Sequence, residues 1–456
     1  MKPRYVLKSP GLRSALVALV AALASAECSN EGPPSMPQAD CVAFGTSTEC
    51  GTDDGTGCAP ESSRVDLCKP SFSNPTNVTN PLNPISELHS VVLLGSVDGA
   101  PLRVEVTLLP GIKTIVWDGR QIATLESQYV AFLDGRIEEV AIDWYAQDDE
   151  GAVWYFGEDV FNYEDGVVAD TDGTWIAGSQ APPGMIMPGD PEVGEVYRPE
   201  NIPGLVFEEV TVSSTNVTVS GPSGSVNGAI VVDELHMDGT HEDKTFAPGY
   251  GEFSTGSGAN LEAVALAVPV DALPGAPPVE LETLLDGAND IFDAAQSDDW
   301  NAASTALDAM TTAWNNYRAG DVPEMLEAQM TDAFDALNQA VGAQDPAEAS
   351  QAAIYVALAS LDFHLRHLPP AEIDLARLEV WTARVIVDAE DADSGAVKGD
   401  VTTLEWVRDR IAHSLAPAEI SQINALLDDL RAAADADDFA AAITAAEELR
   451  AVIAEI

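Results

Sequence analysis

The densest group of metal-binding side chains is Glu234-Leu-His-Met-Asp-Gly-Thr-His-Glu-Asp243. If Asp238-Gly239 forms a two-residue hairpin loop, Met237 faces Thr240, His236 faces His241, Leu235 faces Glu242 and Glu234 faces Asp243. Side chains alternate along a strand, so Glu234, His236, His241 and Asp243 would then share one face, with opposed Cβ atoms about 4.5–5.5 Å apart. Two imidazoles beside two carboxylates suit zinc, copper or nickel. The competing expectation is a solvated hairpin tip with Lys244 offsetting the acids, and a register shift of one residue would break the cluster.

Other candidates are weaker. His364 and His367 stand three apart near a predicted helix end, where the helix dipole favours a positive imidazole. Trp144, Tyr145, Trp154, Tyr155, Phe156 and Trp175 could stack sugar rings with Glu158 and Asp159 beside them, or they could be core. Adjacent strand residues point to opposite faces, so Glu158 and Asp159 cannot readily flank one glycosidic bond. The acid-rich stretches 169–173 and 388–395 do not follow the D-x-D-x-D-G calcium-loop pattern. The chain has no E-x-x-H, G-x-S-x-G, H-E-x-x-H or P-loop motif, and its six histidines offer few general bases.

The elements that must position these residues follow from composition. Residues 86–255 carry short apolar runs separated by Asp98-Gly99, Asp118-Gly119, Asp134-Gly135, Asp165-Gly166, Asp172-Gly173 and Asp238-Gly239, which predicts an antiparallel β meander, a sandwich or half-barrel. In residues 140–147, Val140, Ile142, Trp144 and Ala146 alternate with Ala141, Asp143 and Tyr145, as in a strand covered on both sides. Residues 256–278, rich in Gly, Ser and Pro, predict a linker. Residues 279–456 predict about eight helices, in a bundle or a short helical-hairpin array. The segments 284–303 and 426–442 echo each other, suggesting a duplicated hairpin. The fold class expected is therefore α+β multidomain, β first and all-α second.

At the N-terminus, Lys2, Arg4, Lys8 and Arg13 precede an apolar run and Ala24-Ser25-Ala26, so residues 1–26 predict a signal peptide. Its four positive charges would leave with it, taking the formal charge from −54 to −58. The apolar run is too short to span a bilayer. So acidic a chain repels nucleic acid and anionic lipid, and suits saline surroundings or cation binding. All five cysteines (28, 41, 50, 58 and 68) fall in the first 68 residues, as in an exported protein. Cys28 stands where a lipoprotein carries its lipidated cysteine, although Glu27 departs from that pattern. The other four allow two disulfides in three connectivities. Residues 27–85 read as a disulfide-pinned, low-complexity tether.

The stretches DWYAQDDEGAVWYFGED (143–159), MIMPGDPEVGEVYRPE (185–200) and KTFAPGYGEF (244–253) resemble a group of uncharacterised exported bacterial proteins. The final FAPGYG strand is loosely similar to those of half-barrel lipoprotein carriers. The first likeness implies no activity, and the second implies only a fold. The expected function is an exported, non-enzymatic binding or interaction protein with a protein or small-ligand partner. The alternatives are a metal-handling protein using the hairpin, and a hydrolase with an unrecognised site in the β domain.

Overall fold

A computed structural model describes residues 42–456. Fourteen strands form one open antiparallel sheet, and eight helices follow. The strands are β1 (Ser90–Val97), β2 (Ala100–Trp117), β3 (Arg120–Leu133), β4 (Arg136–Gln147), β5 (Val153–Glu164), β6 (Val167–Asp170), β7 (Trp175–Ile176), β8 (Gly184–Met187), β9 (Val196–Ile202), β10 (Val206–Gly221), β11 (Gly224–His236), β12 (His241–Ala247), β13 (Gly251–Ser257) and β14 (Asn260–Val268). Their order is β6-β5-β4-β3-β2-β1-β14-β13-β12-β11-β10-β9. β8 pairs with β5 and also packs on β9, drawing the two ends of the sheet together.

Four of the Asp-Gly pairs make two-residue loops. Asp98-Gly99, Asp118-Gly119, Asp134-Gly135 and Asp165-Gly166 have both residues at positive φ. That geometry matches the right-handed twist of the strands they join. Asp238-Gly239 differs, because only Gly239 (φ 80°) is left-handed. Asp238 Oδ1 accepts from the Thr240 amide (2.9 Å) and hydroxyl (2.6 Å), and the His236 amide donates to the Thr240 carbonyl. Three residues therefore form the loop instead of two.

Two expected boundaries move. The predicted linker contains the whole of β14, which pairs with β1 at the centre of the sheet. Its stretch Leu261–Val268 supplies Val264, Ala265 and Leu266 to the cores, Gly258 serves the turn before it, and Gly256 sits at positive φ within β13. The described part of the predicted tether is no tether. Val78, Leu82 and Ile85 are buried, and the Phe44 ring packs edge-on against Trp117 and Trp154 at 5.5 and 5.2 Å. Arg198 fastens this strap by donating to the Ser47 and Glu49 carbonyls while paired with Glu209. Cys50 and Cys58 form a disulfide, and Cys68 is also disulfide-bonded. The predicted signal peptide, Cys28 and Cys41 lie outside the described residues.

The helices are α1 (Val279–Gln296), α2 (Trp300–Tyr317), α3 (Glu324–Ala343), α4 (Pro346–His364), α5 (Pro370–Glu390), α6 (Ser394–Ile411), α7 (Pro417–Asp435) and α8 (Phe439–Ile453). They form four hairpins with one shared turn. A left-handed residue (Asp298, Gln344, Ala392 or Asp437) precedes an aspartate N-cap (Asp299, Asp345, Asp393 or Asp438) that accepts an amide of the next helix. A proline opens each hairpin, at Pro278, Pro323, Pro369-Pro370 and Pro417. The 284–303 and 426–442 echo marks the first and fourth of these units. α1 packs on α2 and α4 as α5 packs on α6 and α8. No described helix is long and apolar enough to cross a membrane.

The helices cover one face of the sheet. Val92, Val130, Phe132, Val140 and Leu266 share a single core with them, and Phe132 stacks on Trp381 at 5.2 Å. Alternate residues, including Val91, Leu93, Leu102 and Val104, point to the other face.

Candidate functional site

The face turned away from the helices lines a half-open cavity of about 710 Å³. Val91 and Leu93 of β1, Leu102 and Val106 of β2 and Leu133 of β3 give it an apolar wall. The β-strands on either side supply acids at the same alternating positions: Glu139 and Asp143 from β4, Glu208 from β10, Glu242 from β12, Glu252 from β13 and Glu262 from β14. Lys244 and His236 are the basic side chains on its lining. Negative charge is thus in large excess over positive.

Crowding and burial keep protons on several of these groups. Burial pushes Glu139 up to about 7, with Asp143 and Glu138 adding to the rise. It pushes Asp143 up to about 6 against hydrogen bonds from Tyr155 and Tyr145, the Tyr155 hydroxyl donating at 2.6 Å. Glu262 rises to about 8 through burial and Glu252, with Lys244 pulling the other way. Glu234 rises to about 8 through burial and Glu208, opposed by Lys244, whose Nζ lies 3.1 Å from Oε2. Behind the cavity, burial raises Glu200 to about 7, although Trp175 Nε1 donates to it at 2.6 Å. Glu242 goes the other way, lowered by the His236 imidazole beside it. Each carboxyl raised by burial and its neighbours would lose its proton more readily if a cation entered.

The hairpin does not assemble the four expected ligands. Leu235 pairs with His241, Glu234 with Glu242 and Asp233 with Asp243, one residue off the two-residue-loop register. Glu234 and His236 therefore face inward, while His241 and Asp243 face outward and are exposed. The cause is the three-residue loop set by Asp238 and Gly239. His241 Nδ1 instead meets Asp233 Oδ2 at 2.8 Å. The register brings Glu208 beside His236 across the β10–β11 pair, so Glu208, Glu234 and His236 converge.

The remaining candidates resolve into structure. His364 is buried, with Nδ1 2.8 Å from the Ser360 carbonyl, and burial lowers both His364 and His367. Trp144, Trp154, Trp175 and Phe156 are core. Tyr145, stacked on Tyr155 with centroids 5.0 Å apart, reaches the cavity. Glu158 faces Asp143 on the inward side, and Asp159 points outward toward Lys113. Asp170 accepts from the Asp172 amide and Asp393 caps α6, so these acids in the two supposed calcium stretches serve turns.

Searches against protein-family models and against curated proteins found no match for the chain. The reading of the site therefore rests on its own chemistry.

Proposed function

We propose that the protein is an exported, non-enzymatic binding protein whose cavity takes an amphiphilic organic cation, an amine with an apolar body. The carrying observation is the cavity's divided lining, an apolar wall of Val91, Leu93, Leu102, Val106 and Leu133 on β1–β3 flanked by the carboxylates of β4 and of β12–β14. Its volume of about 710 Å³ falls within the usual small-molecule range. A neutral or anionic acyl chain leaves those carboxylates uncompensated. A cation removes the mutual repulsion among Glu139, Asp143 and Glu262. The disulfides favour an oxidising compartment, and the charge of −54 disfavours nucleic acid as a partner.

The test compares dodecylamine, dodecanol and laurate by calorimetry on the full chain. Dodecylamine is expected to bind at least tenfold more tightly than either relative, and Glu139→Gln with Glu262→Gln should remove most of that preference. Equal or tighter binding of laurate would refute the reading.

A further inference from the structure

Beyond an organic cation, a cluster at the cavity's edge, where Glu208 and His236 line it and Glu234 lies behind them, has the make-up of a metal centre. Glu234 and His236 are two apart on β11 and so share its inward face, and Glu208 pairs with His236 from β10. One ligand atom from each of the three lies within 4.8 Å of the other two. Glu234 is 2% exposed, and its Oε1 has no hydrogen-bond partner. The buried His236 Nε2 has none either, since Glu242 Oε2 stands 3.8 Å away. Leaving such atoms buried and unsatisfied is unfavourable, so a partner that satisfies them is stabilising.

Lys244 does not account for the arrangement. Its ammonium meets Glu234 Oε2, leaving Oε1 without a hydrogen bond and with only His236 Nδ1 near it, at 3.7 Å. It also answers for Glu208 and Glu252, so one lysine faces three acids. Ligand atoms about 2.0–2.2 Å from a zinc ion sit roughly 3.5 Å from one another, so a small rotation of the two glutamate side chains closes the set.

We propose that Glu208, Glu234 and His236 form a divalent transition-metal site of the zinc type, with its fourth position open to the cavity. Two carboxylate oxygens and one imidazole nitrogen make a borderline donor set that suits zinc and copper better than calcium. Three protein ligands leave room for water or for a donor atom of the bound molecule. The inference rests on the cavity admitting cations, but not on its ligand being an amine. His241 and Asp243 have no part in it, because they lie on the opposite face of the sheet.

The experiment titrates zinc chloride into the full chain by calorimetry, with millimolar calcium present to occupy surface acids. One equivalent of zinc is expected, weakened at least tenfold in Glu208→Gln and in His236→Gln and unchanged in His241→Ala. Binding that survives both inward substitutions, that falls equally in His241→Ala, or that never reaches stoichiometry overturns the site. Copper bound to the unaltered protein gives a second reading that needs no folded variant. Its paramagnetic resonance spectrum should show coupling to a single imidazole nitrogen, and absence of that coupling counts against His236. Dodecylamine titrated into the same samples separates the two ideas. Amine binding without zinc binding sinks the metal centre alone, whereas loss of both sinks the cation cavity.

Discussion

Substituting Asp362 by Asn should open the seam between sheet and helices. Arg103 and Glu105 of β2 meet Asp362 of α4, Asp374 and Arg377 of α5 and Arg410 of α6 in one buried network. Its three guanidiniums and three carboxylates balance. Asp362 is fully buried and accepts from Arg103 at 2.6 and 2.8 Å and from Arg377 at 2.9 Å. Burial alone would raise the Glu105 carboxyl, but Arg377, Arg103 and Arg410 hold it well below the usual range. Asparagine removes one negative charge and turns an amide donor toward guanidinium donors, leaving a buried positive charge uncompensated. Breaking such a pair costs about 3–5 kcal/mol, against about 0–1 for a surface pair. Hydrogen exchange read by mass spectrometry suits the test, because it reports local opening without assuming that the whole chain unfolds in one step. At about 1.4 kcal/mol per decade, amides of β2 and α4 should exchange roughly two to three and a half orders faster. A change of less than one order would mean that water already reaches these charges, and the argument from burial would fail.

Dodecylamine affinity should rise between pH 6 and 8.5, as Asp143 (about 6), Glu139 (about 7) and Glu262 (about 8) lose their protons. Folding stability should fall across the same window, because the folded chain holds protons that the unfolded chain has already released. Calorimetry and thermal melting at four pH values check both slopes, and a flat affinity profile would detach these acids from binding. Gly166→Ala should destabilise by about 3 kcal/mol. Its φ is +74°, and a Cβ there would lie 2.2 Å from Gly399 N and 2.4 Å from the Gly395 carbonyl of α6. Gly119→Ala, at a similar φ with open space around it, should cost only about 1–2 kcal/mol. Equal melting shifts for the two would mean that the sheet and α6 can separate freely at that turn.

Much of the frame was readable from local chemistry. Both-positive Asp-Gly loops need only adjacent residues, so the strands they join fell where expected. The helical array was equally open to reading, because its prolines and aspartate caps recur at each hairpin. The strap at 42–85 was not readable. Phe44, Phe72, Val78, Leu82 and Ile85 follow no period, and only the sheet they cover gives them a common surface. Residues 256–278 misled for the opposite reason, since Gly256 and Gly258 look like a linker but Gly256 belongs to β13 and Gly258 to the turn into a central strand.

The site shows how one backbone choice outweighs side-chain composition. In a two-residue loop, His236 and His241 would have faced each other beside Glu234 and Asp243. Asp238 instead hydrogen-bonds forward to Thr240 and leaves the left-handed conformation to Gly239 alone. The single added loop residue sends His241 and Asp243 to the outer face and brings Glu242 inward with Glu234 and His236. That rearrangement lowers the hairpin's inward histidine count from two to one and keeps two carboxylates, Glu242 replacing Asp243, which moves its chemistry from a two-imidazole site toward hard or borderline cations. The other acids of the cavity obey the same rule. Glu139, Ala141, Asp143 and Tyr145 already alternate in the sequence, but what made them a binding wall was the curl of the sheet that sets β4 and β10–β14 around one space. Alternation tells which residues share a face. Long-range strand pairing decides which face encloses a ligand and which one packs against helices.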